Sequence, residues 1–373
     1  MRLAMVVTGG LHPSGREQVV PSLLALFERL APTHEVHAFA LRHLPTPQTY
    51  PLLGFAVHDL GRPSAPLGFR RRAQTHALRL AMQEHGPFDL VHGFWADPSG
   101  LLAARMGHHF GVPSVATCDS GEFVSMPEIG YGSQRTARGR AAVREACALA
   151  TRVHVCTTFM QMLAARHGVT ATVIPLGIAI QPPRRSRQPG ATPLRLLQIA
   201  SLSHVKNQVV LLEAVALLSH DIDVRLDLVG EDTLDGALHA YARDLGISDR
   251  VTFHGFVAND QHGPFLDADI YVQSSRHEAA AVSVLEAAAA GIPVVGTRVG
   301  YVADWSPDRA IAVDTNTPKA LADAIRRLHT DRPLANHLAA AAQAWTHNHD
   351  ADWTAAQFDQ LYRELAERKD SRR

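Results

Sequence analysis

Short apolar runs alternate with longer helical patterns along the whole chain. Runs at 3–7, 35–40, 89–93, 114–117, 152–156 and 172–174 read as strands in the first half, and runs at 194–199, 225–229, 250–253, 270–273, 293–296 and 311–313 in the second. Most are continuous, without period-two alternation. That is the signature of strands covered on both faces, and hence of parallel sheets. Segments 20–30, 208–219 and 321–328 between them carry helical spacing, which gives βαβ units with right-handed crossovers. Residues 181–193 read QPPRRSRQPGATP, with four prolines, three arginines and no apolar periodicity. This predicts an exposed linker between two Rossmann-like domains of similar size, 1–180 and 194–345. In the final segment, 346–373, Trp353, Phe358, Leu361, Tyr362 and Leu365 recur at helical spacing, so a terminal helix must pack on one domain or the other. The expected class is α/β, two parallel sheets facing across a cleft. Ligands of open parallel sheets sit at the C-terminal strand ends, which makes the cleft the default site.

Composition narrows the classes. Apolar residues make up 46% of the 373 and charged residues 19%, which excludes a disordered chain. Lys+Arg and Asp+Glu are both 36, so the strongly basic balance of a general nucleic-acid binder is missing. Cys118, Cys147 and Cys156 show no CxxC spacing, which argues against a disulfide scaffold or structural zinc and fits a reducing cytoplasm. The longest nearly apolar stretch, 279–296, is broken by Ser283, Glu286 and Pro293, short of a membrane span of about 18 residues. The apolar run 3–7 is too short for a signal-peptide core and reads as a buried first strand.

Net zero hides an asymmetry. Residues 1–190 hold 19 basic and 11 acidic side chains, and residues 191–373 hold 17 and 25. Either the halves attract each other, or the first meets an anionic acceptor or membrane surface as a peripheral contact. Arg70, Arg71, Arg72 and Arg79 form one basic cluster, and Arg135, Arg138, Arg140 and Arg144 a second; each reads as a solvated face or as an anion-binding patch. Only Lys206, Lys319 and Lys369 are lysine, so a lysine in this chain is informative.

The segment 268–300, ADIYVQSSRHEAAAVSVLEAAAAGIPVVGTRVG, predicts a strand, a loop with tiny side chains, a helix from about Val282, a stop at Gly291 and a further strand. Backbone N–H groups in such a loop, with the helix dipole behind them, make a plausible phosphate cradle. Glu286 falls on the helix's apolar stripe, so it needs either solvent at the stripe's edge or a partner such as a ligand hydroxyl. Lys206 projects from the C-terminal edge of a strand at the start of a helix, where a cation opposes the dipole. It is either a solvated surface lysine or a group facing a diphosphate.

Lys206-Asn207, Glu278 and Glu286, and the following AAAAGIPVVGTRVG together resemble retaining glycosyltransferases of family 4. The turn VGED at 229–232, the stretch RVTFHGFV at 250–257 and VIPLGI at 173–178 resemble further motifs of that family, and the likeness covers most of the chain. It implies the GT-B fold, with the nucleotide-sugar in the second domain. Lys206 would neutralise the departing diphosphate, with Ser201 nearby. Glu278 would hold the donor sugar's hydroxyls and Glu286 the ribose. Backbone at Gly255, Phe256 and Val257 would contact the base, and backbone at Ala279, Ala280, Ala281 and Val282 the donor. The terminal helix would cross back to the first domain. A saccharide or glycolipid acceptor would bind that domain, with no cofactor beyond the donor and no nucleic-acid partner.

The departures from the family pattern are specific. Ser201 stands where arginine is common, Ala279-Ala280-Ala281 where Gly-Phe-Gly is usual, and Leu176 where asparagine is usual. Relatives often carry a histidine near the reacting carbon; the matching position here is Asp119, which cannot be a neutral donor unless its pKa is raised. Asp119 is otherwise a turn or cap residue. Glu122 and His92 are further candidates on the acceptor side, His92 reading equally as a packed core histidine, and Gly9, Gly10 and Gly15 resemble the family's glycine-rich loop. Asp221, Asp223, Asp267 and Asp269 form paired-aspartate patterns, but each pair precedes a strand and reads as a strand-entry cap. His108-His109 and the tract at His347 and His349 lack HExxH spacing, so no metal requirement is expected. A nucleotide-sugar epimerase, a sugar phosphorylase or a non-catalytic binding protein on this fold are the alternative functions.

Overall fold

The computed structural model describes residues 1–62, 66, 69–180, 192–258, 261–263, 265–314 and 317–370. Nearly all of the expected linker, 181–193, lies outside the described residues. The chain forms two compact units, Met1–Ala179 with Ala351–Arg373, and Ile180–Asp350.

The first unit runs β1 (Arg2–Val7), α1 (Pro21–Leu30), β2 (Glu35–Ala40), β3 (Gln48–Leu52), β4 (Phe55–Asp59), α2 (Arg70–His85), β5 (Leu90–Phe94), α3 (Leu101–Phe110), β6 (Ser114–Thr117), α4 (Ala137–Leu149), β7 (Arg152–Val155), α5 (Thr158–Arg166) and β8 (Thr172–Val173). Among the described residues its sheet has the order β3-β4-β2-β1-β5-β6-β7-β8, all parallel except the β3–β4 hairpin. Thr136 and Thr157 cap α4 and α5 by accepting from Gly139 N (3.0 Å) and Met160 N (3.2 Å). The second unit runs β9 (Leu194–Ile199), α6 (Gln208–Leu218), β10 (Val224–Val229), α7 (Ala237–Asp244), β11 (Val251–Phe253), β12 (Ile270–Gln273), α8 (Val282–Ala289), β13 (Val294–Thr297), α9 (Gly300–Trp305), β14 (Ala310–Val313), α10 (Pro318–Thr330) and α11 (Arg332–Asn348). Its described strands are all parallel, in the order β11-β10-β9-β12-β13-β14. Leucines and valines of β9, β10 and α6 form its core with Leu321 and Ile325 of α10.

The β3–β4 hairpin escapes the sequence pattern. Its turn residues Leu53 and Gly54 both have positive φ (47° and 86°), the primed-turn geometry usually announced by Asn-Gly. Pro51 also argues against a strand, yet β3 is an edge strand, where proline is tolerated.

The last helix, α12 (Ala351–Asp370), packs within the first unit. Thr354 Oγ1 accepts from Gly177 N (2.9 Å) and donates to Pro175 O (2.7 Å), and Phe358 and Tyr362 are fully buried. Tyr362 starts a buried chain of hydrogen bonds across the sheet. Its hydroxyl meets His92 Nδ1 (2.6 Å), His92 Nε2 meets Thr117 Oγ1 (2.7 Å), Thr117 Oγ1 meets His154 Nδ1 (2.8 Å), and His154 Nε2 meets Ile174 O (2.8 Å). Ile174 O can only accept, so the donors run in one direction from Tyr362, and both histidines are satisfied as neutral rings. His92 is therefore a core histidine with both nitrogens used, which corrects its expected place on the acceptor side.

Burial holds the His154 ring down at about 4, against its Ile174 bond, and His92 well below its ordinary value. An unfolded histidine takes up a proton near 6.5, so between there and about 4 the unfolded state binds more protons. The stability from His154 is whole above pH 6.5 and is lost as pH falls toward 4. Tyr362→Phe leaves His92 Nδ1 buried without a donor and should cost about 1–3 kcal/mol at pH 7.5, measured by chemical denaturation. Equal stability would remove the chain of bonds from the fold's support.

Candidate functional site

In the second unit the C-terminal ends of β9 and β12 lie side by side, and the loops that leave them are joined. Lys206 Nζ donates to Glu278 Oε1 at 2.6 Å, and Ser275 Oγ donates to the same oxygen at 2.6 Å. Ser274 Oγ donates to Lys206 O (2.8 Å), and Arg276 N to Val205 O (2.7 Å). The ion pair is partly buried, with 24% of the lysine and 11% of the glutamate side chain exposed. An ammonium has three donors, so Lys206 can hold Glu278 and still reach an anion. Glu278 Oε2 is left to accept from a hydroxyl.

Ala279-Ala280-Ala281 lead from Glu278 into α8, with Val282 its first residue. Ala281 has φ +78°, so the backbone keeps the left-handed turn that a glycine would take there, at an alanine's cost of about 1–2 kcal/mol. Gly300 packs on the same loop; a Cβ on it would stand 2.9 Å from Ala280 O and 3.0 Å from Glu278 Cβ, so a side chain there would push the glutamate's loop aside. Ser201 follows β9, and its carbonyl accepts from Gln208 Nε2 (3.1 Å). Gly255 O accepts from Gly230 N (2.8 Å), and Phe256 is 63% exposed.

His262 joins this loop to the next glutamate. Its Nδ1 lies 2.9 Å from Glu286 Oε2, and its Nε2 lies 3.1 Å from Val257 O. Glu286 is thus partnered through a histidine that sequence pattern alone does not single out, because the stretch around it has no periodicity. Of the paired aspartates, Asp269 Oδ2 accepts from Arg195 N (2.9 Å) at the start of a strand, whereas the Asp223 carboxylate pairs with Arg250 Nη1 (3.3 Å).

In the first unit Gly9 and Gly10 follow β1. Gly10 has φ +85°, and a Cβ there would stand 2.6 Å from Val20 Cγ2, so only glycine fits. The loop folds on itself through the Leu11–Val19 bridge, with Gly15 N donating to His12 O (2.9 Å). After β6, Glu122 is buried and ties this loop to the one after β5: Oε1 accepts from Ala96 N (3.2 Å) and Oε2 from Ser120 N (2.7 Å). Asp119 Oδ1 is shut from solvent with no hydrogen-bond partner, although the residue as a whole is only half-buried. Burial, then the Glu122 charge, pushes the Asp119 carboxyl up to about 8. Near neutrality Asp119 holds its proton and is an O–H donor.

Arg138 of the second arginine cluster joins residues of the first. Arg42, Arg62, Arg70, Arg71 and Arg138 line a cavity of about 590 Å³ with Asp97 as its carboxylate, and Arg71 pairs with Asp97 at 2.5 Å. A second cavity, of about 550 Å³, shares Arg71 and Arg138 and adds Arg72, Arg79 and Arg105. Of the second cluster, only Arg138 is among these lining residues. No described helix is long and apolar enough to cross a membrane.

Two α/β units built on largely parallel sheets have the layout of the GT-B class of glycosyltransferases. The chain belongs to family 4: the family model described as "Glycosyl transferases group 1" matches residues 182–345, and "Glycosyltransferase Family 4" matches residues 19–181. A D-inositol 3-phosphate glycosyltransferase from Pseudarthrobacter chlorophenolicus is 30% identical over 302 residues, 74% of this chain and 70% of the relative. Among solved structures, a sucrose-phosphate synthase from Thermosynechococcus elongatus matches with TM-score 0.80 at 19% identity, covering 98% of this chain and 99% of that one. Anabaena HepE in complex with UDP-glucose matches with TM-score 0.76 at 20% identity, covering 98% and 100%.

The folded Asp119 keeps its proton to about pH 8, whereas an unfolded aspartate loses it near 3.8. Its burial therefore subtracts stability increasingly from about pH 4 to 8. Asp119→Asn should be more stable than wild type by about 1–3 kcal/mol at pH 8.5, with the difference vanishing toward pH 4 in urea titrations. A difference that does not change with pH would mean that Asp119 is ionised in the fold.

Proposed function

We propose that the chain transfers a sugar from a nucleotide-sugar donor to a saccharide or glycolipid acceptor bearing negative charge, with retention of anomeric configuration. The observation that carries this is the 2.6 Å convergence of Lys206 on Glu278 at the strand ends. A cation and a hydroxyl-binding carboxylate held together suit the two parts of an activated sugar. In the reaction the bond from the anomeric carbon to the β-phosphate breaks, and its electron pair leaves with the phosphate. The Lys206 ammonium stabilises that charge. The acceptor hydroxyl bonds to the same carbon, and its proton goes to the departing phosphate oxygen. Glu286, oriented by His262, binds the ribose.

The retaining assignment rests on the family likeness. The bound UDP-glucose of HepE supports a nucleotide-sugar donor. The arginine-lined cavities support an anionic acceptor, and the inositol phosphate named for the relative above is of that chemistry.

Thermal-shift screening against UDP-, GDP- and ADP-sugars, followed by transfer assays with the stabilising donor, tests the reading. Nucleoside diphosphate and a retained glycoside are expected. An epimerised donor, or nucleotide binding without turnover at high enzyme concentration, would replace it with an epimerase or a binding protein. Lys206→Ala should lower kcat about 10²–10³-fold with the fold intact by circular dichroism. Glu286→Ala should raise the donor KM by about tenfold, a loss of about 1.4 kcal/mol of binding, and His262→Ala should do so to a smaller degree. Full turnover in the lysine variant would refute its role.

A further inference from the structure

We propose that the first unit carries a binding site for one late first-row divalent cation, of the Zn²⁺ class, made by His37, His58 and His85.

The parallel register pairs His37 with Ala56 and Phe39 with His58, so both histidines stand on one face of the sheet. That face is otherwise apolar: Phe39 packs there with Leu78 and Met82 of α2 and with Phe88. His85, the last residue of α2, lies against His58 with ring centroids 3.9 Å apart. His37 and His58 are buried, 8% and 4% exposed. His37 Nδ1 and His58 Nε2 face each other at 2.9 Å, and one nitrogen of each of the three rings lies within 4.8 Å of the others. Among the described residues this is the one such group of three or more possible ligands.

The outer nitrogens are already oriented. His37 Nε2 bonds Glu35 Oε1 (3.0 Å), and His58 Nδ1 bonds Thr49 Oγ1 (3.3 Å). A carboxylate or hydroxyl on the far nitrogen is what fixes the ring and tautomer of a ligating histidine. With Glu35 accepting from Nε2–H, the His37 Nδ1 lone pair points inward. His58 offers its Nε2 lone pair once its proton sits on Nδ1, and the Thr49 hydroxyl can accept there as readily as donate. Binding therefore needs a tautomer change and no loss of a proton from the protein. Tetrahedral Zn–N bonds set ligand nitrogens about 3.4 Å apart, so the facing pair must open by about 0.5 Å, and the His85 ring, stacked on His58 with 22° between their planes, must turn to aim a nitrogen lone pair at the ion. An all-imidazole set suits zinc, copper and nickel rather than calcium or magnesium. His85 is half-buried, which gives the ion a path in.

The site is remote in kind from the transfer chemistry, since Lys206 and Glu278 belong to the second unit. It would fasten β4 and the end of α2 to β2, and α2 begins with Arg70, Arg71 and Arg72. The ligand spacing 37, 58 and 85 follows no sequence motif, which is why sequence pattern does not reveal it.

The test uses the full chain, tag-free and stripped with a chelator. Titration with Zn²⁺ should show one bound ion per chain and a rise in Tm, and X-ray absorption at the zinc edge should show three imidazole nitrogens. His85→Gln should weaken Zn²⁺ binding at least tenfold and abolish the Tm rise, while His347→Gln, in the His347–His349 tract, should change neither. No Zn²⁺-dependent Tm shift in the wild type, a shift retained in His85→Gln, a shift lost in His347→Gln, or fewer than three imidazoles in the absorption spectrum would each overturn the proposal. The metal titration of the unmodified chain and its absorption spectrum decide the matter even if a variant fails to fold.

Discussion

The loops at the C-terminal strand ends of the second unit are organised by the contact between Lys206 and Glu278. The loop after β9 and the loop after β12 have no regular structure of their own at that point, and 72 residues separate the two side chains. What brings them together is topology: β9 and β12 are neighbours in a parallel sheet, so both strands deliver their loops to one edge. The ion pair and the Val205–Arg276 backbone bond then fix the loops against each other. The choice of lysine follows from the same geometry. A guanidinium tends to bind a carboxylate through two parallel bonds, which would commit its fork to Glu278. An ammonium divides its donors, holding the glutamate with one and offering the others elsewhere. In a chain that writes arginine at nearly every other cationic position, that division of donors is a physical reason for the exception.

The strands were legible because a buried parallel strand is a continuous apolar run, and β2, β6, β9 and β12 coincide with such runs. The β3–β4 hairpin was not, because its turn is Leu53-Gly54 and its edge strand contains Pro51. The lysine and the two glutamates were legible as a set through spacing and family likeness. Their partners were not. His262 reaches Glu286 from an aperiodic stretch, and Ser275 reaches Glu278 through a short loop whose conformation no pattern of polar and apolar residues specifies. Ala281 is a middle case. The likeness to family 4 marks the position as one that usually takes glycine, and only the backbone shows that the left-handed turn survives without it.

The same limit explains the basic half. Sequence arithmetic gives its net charge but not whether the arginines disperse or converge. Arg42, Arg62, Arg71 and Arg138 come from four different segments, and folding places them around one cavity with Asp97. Arginines gathered against a single carboxylate repel one another unless an anion joins them. The convergence makes this part of the first unit a concentrated positive surface, which the net charge alone does not reveal.

Burial is put to two opposite uses in the first unit. Along His92, Thr117 and His154 every inward nitrogen and hydroxyl has a partner, so the network is closed and can only support the fold. Just beyond, past the end of β6, Asp119 has an oxygen shut from water with nothing bonded to it. A buried polar atom without a partner costs stability and persists where something else compensates. Glu122, its neighbour in the same loop, is fully engaged by two backbone donors, so the orphan is not a general failure of this loop to satisfy its carboxylates. The desolvation that makes Asp119 expensive also keeps it protonated. Near pH 7 it is thereby a neutral O–H donor, which an ionised aspartate could not be.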